Sequence, residues 1–390
     1  MAIPSDMPQG ETPDVVTGAG RLTVDLSALR RNYRRLVQAA HGAAVAGIVK
    51  ADAYGLGAVP VAQTLVREGC TSFFVAQLGE AIALREALGG SAEILVLNGL
   101  QPGAEELAYR AGVTPVLNAL HQIAAWRRLA HRHGQRLPAV IQLDSGMSRL
   151  GLPPEDAAWL AAQSDGLDGL DGLELTLVMS HLACADMPDH PANDAQLNTF
   201  REIAGRFPPA RRSLANSGGL FLGPDYRFDL VRPGIALYGG APHPGAEVAI
   251  GVGNPMEAVV TVEAPVTQLR TVPAGAGIGY GFTRRAERPM RLATIPVGYA
   301  DGWHRSQSNC GAALWQGRRL DFIGRVSMDS IILDATHAPD LQPGDMVELI
   351  GPGRSLDAVA QDAGTISYEI LTSLGSRFQR RFVDPQGARP

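Results

Sequence analysis

From about residue 20 to 240 the chain alternates short β-branched runs with longer stretches whose apolar residues recur at helical spacing. That alternation predicts an α/β domain of parallel strands joined by crossover helices. Eight strands are expected: AVAGIVKA ending near Ala51, SFFVAQ to Gln77, EILVLNG to Gly99, VTPVLN to Asn118, AVIQLD to Asp144, LTLVMSHLA to Ala183, RRSLANS to Ser217 and LVRPGIALYG to Gly240. The intervening AVPVAQTLVREG, LGEAIALREALG and ALHQIAAWRRLAHRHG read as helices. Eight strand–helix units in roughly 220 residues suit a (β/α)8 TIM barrel. A doubly wound sheet is the alternative, but neither G-x-G-x-x-G nor G-x-x-x-x-G-K-[ST] occurs, which weakens its nucleotide-binding versions.

After Tyr238 the pattern changes. The stretch GGAPHPGAEVAIGVGNP is rich in Gly and Pro, and AVVTVEAPVTQLR, RLATIPVGYA, SIILDA and DMVELIG follow as β-type segments separated by turn residues. The expected organisation is an N-terminal tail over 1–20, a barrel over 21–242 and a C-terminal mainly-β domain over 243–390. The tandem DGLDGLDGL, Asp165 to Leu173, reads as a helix-to-strand connection.

Composition narrows the partners. The 390 residues, 45% of them hydrophobic, are enough to bury a full core and suit two domains. A net charge of −5 without a basic stripe argues against nucleic acid and anionic membranes and leaves a small molecule as the expected partner. Cys70, Cys184 and Cys310 form neither a C-x-x-C pair nor an even disulfide framework, which fits a reducing cytoplasm. MAIPSDMPQGETPD lacks the basic start and apolar core of a signal peptide, and no apolar run of about 18 residues occurs, so a cytoplasmic protein is expected.

In a barrel the chemistry belongs at the carboxyl ends of the strands. Lys50, Tyr54, Arg149, His181, Asn216, Ser217, Arg232 and Tyr238 fall there. A partly desolvated strand-end lysine has a lowered pKa and an amine available for a Schiff base, although a solvated strand-end lysine has the same sequence signature. Loops after the seventh and eighth strands often bind phosphate through backbone N–H groups and a hydroxyl, a role open to Ser217, Gly234 and Ile235. Asn-Ser-Gly-Gly is also good turn chemistry. A phosphate beside a strand-end lysine suggests pyridoxal phosphate. His131-Arg-His133 reads as a basic helix end, so no metal is expected, and the cysteines read as packing.

The run Gly47-Ile-Val-Lys-Ala-Asp-Ala-Tyr-Gly-Leu-Gly57 resembles the cofactor-attachment motif of the alanine racemase family, fold-type III pyridoxal-phosphate enzymes. Further motifs follow in family order: Leu143-Asp-Ser-Gly-Met-Ser-Arg-Leu-Gly151, Ser180-His-Leu-Ala-Cys-Ala-Asp186, Ala215-Asn-Ser-Gly218, Val231-Arg-Pro-Gly-Ile-Ala-Leu-Tyr-Gly239, Gly279-Tyr-Gly281, Pro296-Val-Gly-Tyr-Ala-Asp-Gly-Trp303, Gly324-Arg-Val-Ser-Met-Asp329 and Ile366-Ser-Tyr-Glu369. The resemblance implies interconversion of L- and D-alanine, supplying D-alanine for peptidoglycan.

By the same resemblance Lys50 holds the cofactor as a Schiff base and serves as one base, while Tyr280 serves as the other from the partner subunit of a homodimer with composite sites. Racemisation needs acid–base groups on both faces of the α-carbon. A tyrosine with an unperturbed pKa of about 10 needs cationic or hydrogen-bonding neighbours to act as one of them. Arg232 is expected at the pyridine nitrogen, where it makes the ring a shallower electron sink than an acid would. His181 supports that arginine or is a structural histidine. Tyr54, Ser217, Gly234, Ile235 and Tyr368 match the phosphate-binding set, with Asn216 beside it and Tyr238 as packing. Arg149 is expected to fix the substrate carboxylate and the cofactor phenolate oxygen, joined by the Met328 N–H. Asp329 orders that loop, and Tyr299 narrows access in favour of a methyl side chain.

Many members carry a carbamylated lysine seven residues before that arginine, where this chain has Gln142. A glutamine cannot be carbamylated; it is expected to orient Arg149 through its amide oxygen, with an anion such as chloride nearby. The competing readings are a broader racemase acting on serine or basic amino acids, a fold-type III decarboxylase, and a non-catalytic pyridoxal-phosphate-binding protein. Tyr280 and Ser327-Met-Asp329 argue against decarboxylation, and a mere carrier leaves the β domain without a role.

Overall fold

The computed structural model describes residues 16–164, 169–243 and 254–384. The expected tail up to residue 15, residues 165–168 of the DGL tandem and 244–253 of the Gly/Pro connection lie outside the described residues. The chain forms two units. One is built on Val24–Val260 with Ile366–Thr372, the other on Thr261–Thr365 with Ser373–Arg381 and the residues up to Thr23. The two units alternate along the chain: the first strand starts in the β unit, and both a short segment bearing Tyr368 and the residues from Phe382 return to the barrel unit.

Strand β1 (Gly20–Asp25) runs into helix α1 (Leu26–Ala40). The Asp25 carboxylate caps the helix, accepting from Ser27 N at 2.8 Å and Ala28 N at 2.9 Å, donors that the first turn leaves without intrahelical partners. The barrel strands follow: β2 (Ala44–Val45), β3 (Gly47–Ile48), β4 (Ser72–Val75), β5 (Glu93–Val96), β6 (Thr114–Leu117), β7 (Leu137–Gln142), β8 (Leu173–Met179), β9 (Arg211–Ser213) and β10 (Leu230–Val231). Strands β3 to β9 pair in parallel in sequence order, and β10 pairs in parallel with β2.

β2 and β3 are halves of one strand that bends at Ala46, Ala44 facing Leu230 on one side and Gly47 facing Phe73 on the other. Gly47 permits this approach, since a Cβ there would lie 2.8 Å from two atoms of the Phe73 ring. Backbone hydrogen bonds from Asp229 N to Arg212 O (3.0 Å) and from Arg232 N to Ala215 O (2.9 Å) join β9 to β10. The ring thus closes with eight strands, the expected TIM-barrel architecture. β4 and β6 are buried at every position, as parallel strands covered on both faces require.

Most of the strands stop short of the apolar runs that announced them, at Ile48, Val75, Val96, Leu117, Met179, Ser213 and Val231. The largest difference is LVRPGIALYG, which is strand only over Leu230–Val231 and then a buried 3-10 turn over Ile235–Tyr238. Pro233 has no N–H for a ladder, and the apolar character that follows reflects burial rather than extension.

In the β unit a six-stranded sheet contains β1, β11 (Val260–Pro265) and the later strands Ala312–Trp315, Arg318–Asp321, Met346–Ile350 and Phe378–Val383. A three-stranded antiparallel sheet pairs Gln268–Val272, Met290–Ile295 and Ile331–Asp334. A hairpin of Gly277–Ile278 with Arg284–Arg285 carries Tyr280 near its tip and is rooted by Ile278 and Ala286 in a small core with Met290 and Leu292. Among the described residues no helix is long and apolar enough to cross a membrane.

Candidate active site

At the carboxyl ends of the barrel strands lies a cavity of about 360 Å³. Lys50, Tyr54, Arg149, His181, Asn216, Ser217, Arg232, Gly234 and Tyr368 line it together with Gln142 and Asn98. The barrel thus gathers nine residues that were singled out across more than 300 positions of sequence, Tyr368 arriving on the segment that returns after the β unit. Three cations face the space, and no Asp or Glu lines it among the described residues.

Lys50 begins an unusual turn. Ala51, Asp52, Ala53 and Tyr54 all hold φ between 50° and 57°, a left-handed conformation that costs L-residues roughly 1–2 kcal/mol each. One tertiary and two local bonds hold it in place. Ala51 N donates to Glu80 Oε1 at 2.6 Å, Ala58 N to Asp52 Oδ1 at 2.7 Å and Ala53 N to Val49 O at 2.9 Å. The Tyr54 ring packs against Tyr238 and Tyr368, with centroids 4.9 and 5.8 Å away. Tyr238, expected as packing, also donates its hydroxyl to Ile48 O at 2.7 Å. Burial and then the Arg149 guanidinium lower the Lys50 amine from its ordinary value, while Glu80 opposes them. A lowered value enlarges the neutral, nucleophilic fraction of the amine.

Opposite, the Ser217 hydroxyl accepts from Gly234 N at 2.9 Å and Ala236 N at 3.3 Å, tying the loop after β9 to the turn after β10. A Cβ at Gly234 would overlap the Tyr54 hydroxyl, so only glycine lets that hydroxyl reach the turn. Burial, with Tyr368 adding to it, pushes Tyr54 up and keeps it an O–H donor. Ile235 is 2% exposed and enters as the first residue of the turn, while Asn216 receives Gly219 N at 3.0 Å. A hydroxyl donor, a glycine cradle and nearby cations form a donor set that fits a phosphate group. With the lysine beside it, the set fits pyridoxal phosphate.

Arg232 is 4% exposed and donates to Ser213 Oγ, to Ser180 O at 2.5 Å and to Leu214 O at 3.4 Å. All three partners are neutral oxygens, and burial pushes the guanidinium down to about 9. It remains a cation with no carboxylate partner among the described residues. Burial and then Arg232, Arg149 and Lys50 push His181 down to about 3, so its ring is neutral near pH 7. No hydrogen bond joins the His181 ring to Arg232 among the described residues, so the two are coupled through charge.

Arg149 is presented by the loop after β7. Asp144 Oδ1 accepts from Gly146, Met147 and Ser148 N at 2.9, 2.9 and 3.1 Å, while Leu152 N returns to Gln142 O at 2.8 Å. Gln142 is 5% exposed, and its amide nitrogen donates to Leu150 O at 3.2 Å. It therefore grips the backbone next to Arg149; a bond to the guanidinium itself is not among those of the described residues. Gln196 staples the neighbouring loops by accepting from Ala183 N (2.8 Å) and donating to His181 O (3.0 Å). Glu80, Asn98 and Gln196 were not anticipated, because ordinary helix and loop residues carry no local signal of what they will reach across the fold.

The remaining expected residues lie in the β unit. Tyr280 stands on a 3-10 turn at the hairpin tip, 71% exposed, beside the exposed Phe282. The exposed Tyr299 and Met328 belong to loops that brace each other, with Tyr299 N on Ser327 O and Ala300 N on Met328 O, both at 3.0 Å. Arg377 bridges the buried Asp301 (2.6 Å) and the exposed Asp329 (2.7 Å), which ties the loop next to Met328 to Arg377.

Two family descriptions match the chain: Alanine racemase, N-terminal domain, over residues 24–242, and Alanine racemase, C-terminal domain, over 259–382. Among curated relatives, "Alanine racemase, catabolic" of Mesorhizobium japonicum is 54% identical over 93% of both chains. The protein of the same name from Agrobacterium fabrum is 53% identical over 94% of this chain and 93% of its own. Among solved structures, alanine racemase from Bartonella henselae with covalently bound pyridoxal phosphate superposes with a TM-score of 0.87 at 42% identity, covering 93% of this chain and 99% of that one. The biosynthetic alanine racemase of Pseudomonas aeruginosa gives 0.84 at 37%, with the same coverage. Two collinear domain matches and relatives more than half identical over nearly the whole length lead to one assignment: this chain belongs to the alanine racemase family.

Proposed function

We propose that the protein interconverts L- and D-alanine, using pyridoxal phosphate held at Lys50. One observation carries the reading: a cavity faced by Lys50, Arg149 and Arg232 and, among the described residues, lined by no acid, beside the Ser217–Gly234 turn. Three cations facing one space suit a phosphate and an amino-acid carboxylate bound together. Family membership and the covalently bound pyridoxal phosphate of the Bartonella henselae relative support the same cofactor here.

When bound, pyridoxal phosphate supplies the electron sink that makes the α-proton of an amino acid removable. Tyr54, Ser217, Gly234, Ile235 and Tyr368 would hold the phosphate, with Asn216 at its edge. Arg232 would face the pyridine nitrogen; its N–H groups are donors that stay charged, so it holds the ring without delivering a proton. His181, kept neutral by burial and then by the surrounding cations, adds no further positive charge. Arg149 and the Met328 N–H would grip the substrate carboxylate, leaving the α-carbon between two bases. Lys50 takes or returns a proton at Nζ on one face, and Tyr280 from a second copy of the chain does so at its phenolic oxygen on the other. The homodimer this requires is supported by the exposed Tyr280 and Phe282 at one hairpin tip, aromatic surface that suits burial against another chain. Tyr299 would narrow the approach in favour of a methyl side chain.

Incubating the protein with L-alanine in deuterium oxide should yield D-alanine carrying deuterium at the α-carbon. Release of CO₂ would mark a decarboxylase, equal turnover of serine or arginine a broader racemase, and bound cofactor without exchange a carrier. Tyr280→Phe should slow turnover by about 10²- to 10⁴-fold while leaving a borohydride-reducible cofactor on Lys50. Supply of D-alanine for peptidoglycan is the finer part of the proposal, and two relatives bear the word catabolic. A deletion strain that requires D-alanine supports the peptidoglycan role. One that merely fails to grow on alanine as carbon source replaces it with a catabolic role.

A further inference from the structure

We infer that Glu80 is a positioning residue for Lys50, its carboxylate clamping the left-handed turn that carries the lysine to the neighbouring strand end. The inference rests on the proposed role of Lys50 and adds a residue outside the cavity lining.

Glu80 lies in the first turn of the helix Leu78–Leu88, where an acid normally serves as a cap. One oxygen does so here, since Oε2 accepts from Ala76 N at 2.8 Å and Gln77 N at 2.9 Å. The other is used differently. Oε1 accepts from Ala51 N at 2.6 Å, the amide directly after Lys50. A single carboxylate thus joins the end of β4 to the first residue of a backbone turn that L-residues resist, and it does so with charge-assisted bonds. From the other side, Tyr238 holds Ile48 O, two residues before the lysine. Without Glu80 the turn has less to keep it left-handed, and the Lys50 amine loses its fixed approach to the cavity.

The charge acts as well. The charged and titratable groups around Lys50 are Arg149, Arg232, His181 and Tyr368 at the cavity, Asp52 and Tyr54 on its own turn, and Glu80. Arg149 lowers the lysine and Glu80 raises it, so removing the Glu80 charge lets the amine fall further.

The test compares Glu80→Gln with Gln77→Ala, which weakens the same helix start without touching Ala51. An amide offers one acceptor oxygen and presents N–H groups on its other side, so it cannot serve both sets of donors. For Glu80→Gln we expect kcat to fall about ten- to a hundredfold with KM for alanine unchanged, the scale of a misplaced reacting group. A second readout is the pH dependence with which the cofactor-free full chain takes up pyridoxal phosphate as a borohydride-reducible adduct at Lys50. Its midpoint should move to lower pH in Glu80→Gln and stay in place in Gln77→Ala. If both variants merely lower the melting temperature, with kcat and midpoint unchanged, Glu80 is a helix cap and the inference is overturned. Should Glu80→Gln fail to fold, Glu80→Asp keeps the charge on a shorter arm that cannot span to Ala51; wild-type kcat in that variant overturns the inference equally. Absence of racemisation, or of a reducible adduct at Lys50, in the wild-type protein would overturn the proposed function instead.

Discussion

At the scale of single residues, the site is governed by an excess of positive charge. Lys50, Arg149 and Arg232 share a cavity that no acid lines among the described residues, and His181 is held neutral beside them. Its value of about 3 lies below the ordinary 6.5, so between those limits the unfolded chain binds a proton that the folded one refuses. Stability from this residue is therefore complete above pH 6.5 and declines as pH falls toward 3. His181→Gln removes that dependence: denaturant titrations across the same range should show a smaller acid-side loss of stability than the wild type. An identical pH profile would mean that His181 is not the buried neutral ring described. The residue types at this site were legible in the sequence, since lysine, arginine and histidine at strand ends in a barrel carry their own chemistry. Their protonation was not, because it depends on burial and on cations brought from other strands.

At the scale of elements, two loops turn residue types into geometry. The left-handed turn after Lys50 was unreadable: Ala51 and Ala53 have no sequence signature for positive φ, and Glu80 and Tyr238 enforce it from distant positions. The loop bearing Arg149 is the opposite case. Asp144 organises it locally, one carboxylate accepting three successive amides, a short-range pattern that Asp-Ser-Gly already suggests. Asp144→Ala releases those amides and loosens Arg149 without touching Lys50. We expect KM for alanine to rise about tenfold, as for a lost contact to a charged group, with a smaller change in kcat. A fall in kcat at constant KM would instead place Asp144 in the proton-transfer step. The strand ends themselves were misread by several residues, because an apolar run records burial and the Ile235–Tyr238 turn is as buried as the strand before it.

At the scale of the whole molecule, the chain is threaded through two units, and the residues proposed for catalysis are divided between them, Lys50 in one and Tyr280 in the other. If sites form between two copies, Lys50→Ala and Tyr280→Phe chains, each inactive alone, should complement when their subunits are exchanged. Random pairing makes half the dimers mixed, each with one intact site, so about a quarter of wild-type activity should return. No recovery would argue for sites complete within one chain. The sequence by itself determined the class of the molecule: the alternation of runs is set by local periodicity, the eightfold count by their number, and the chemistry by side chains whose reactivity is intrinsic. What only the tertiary structure decided was which groups meet. Tyr368 joins the cavity from beyond the β unit, Gly234 admits the Tyr54 hydroxyl, and Glu80 clamps the turn of Lys50. Those meetings follow from chain closure and packing, which act between residues far apart in sequence and so leave no local trace.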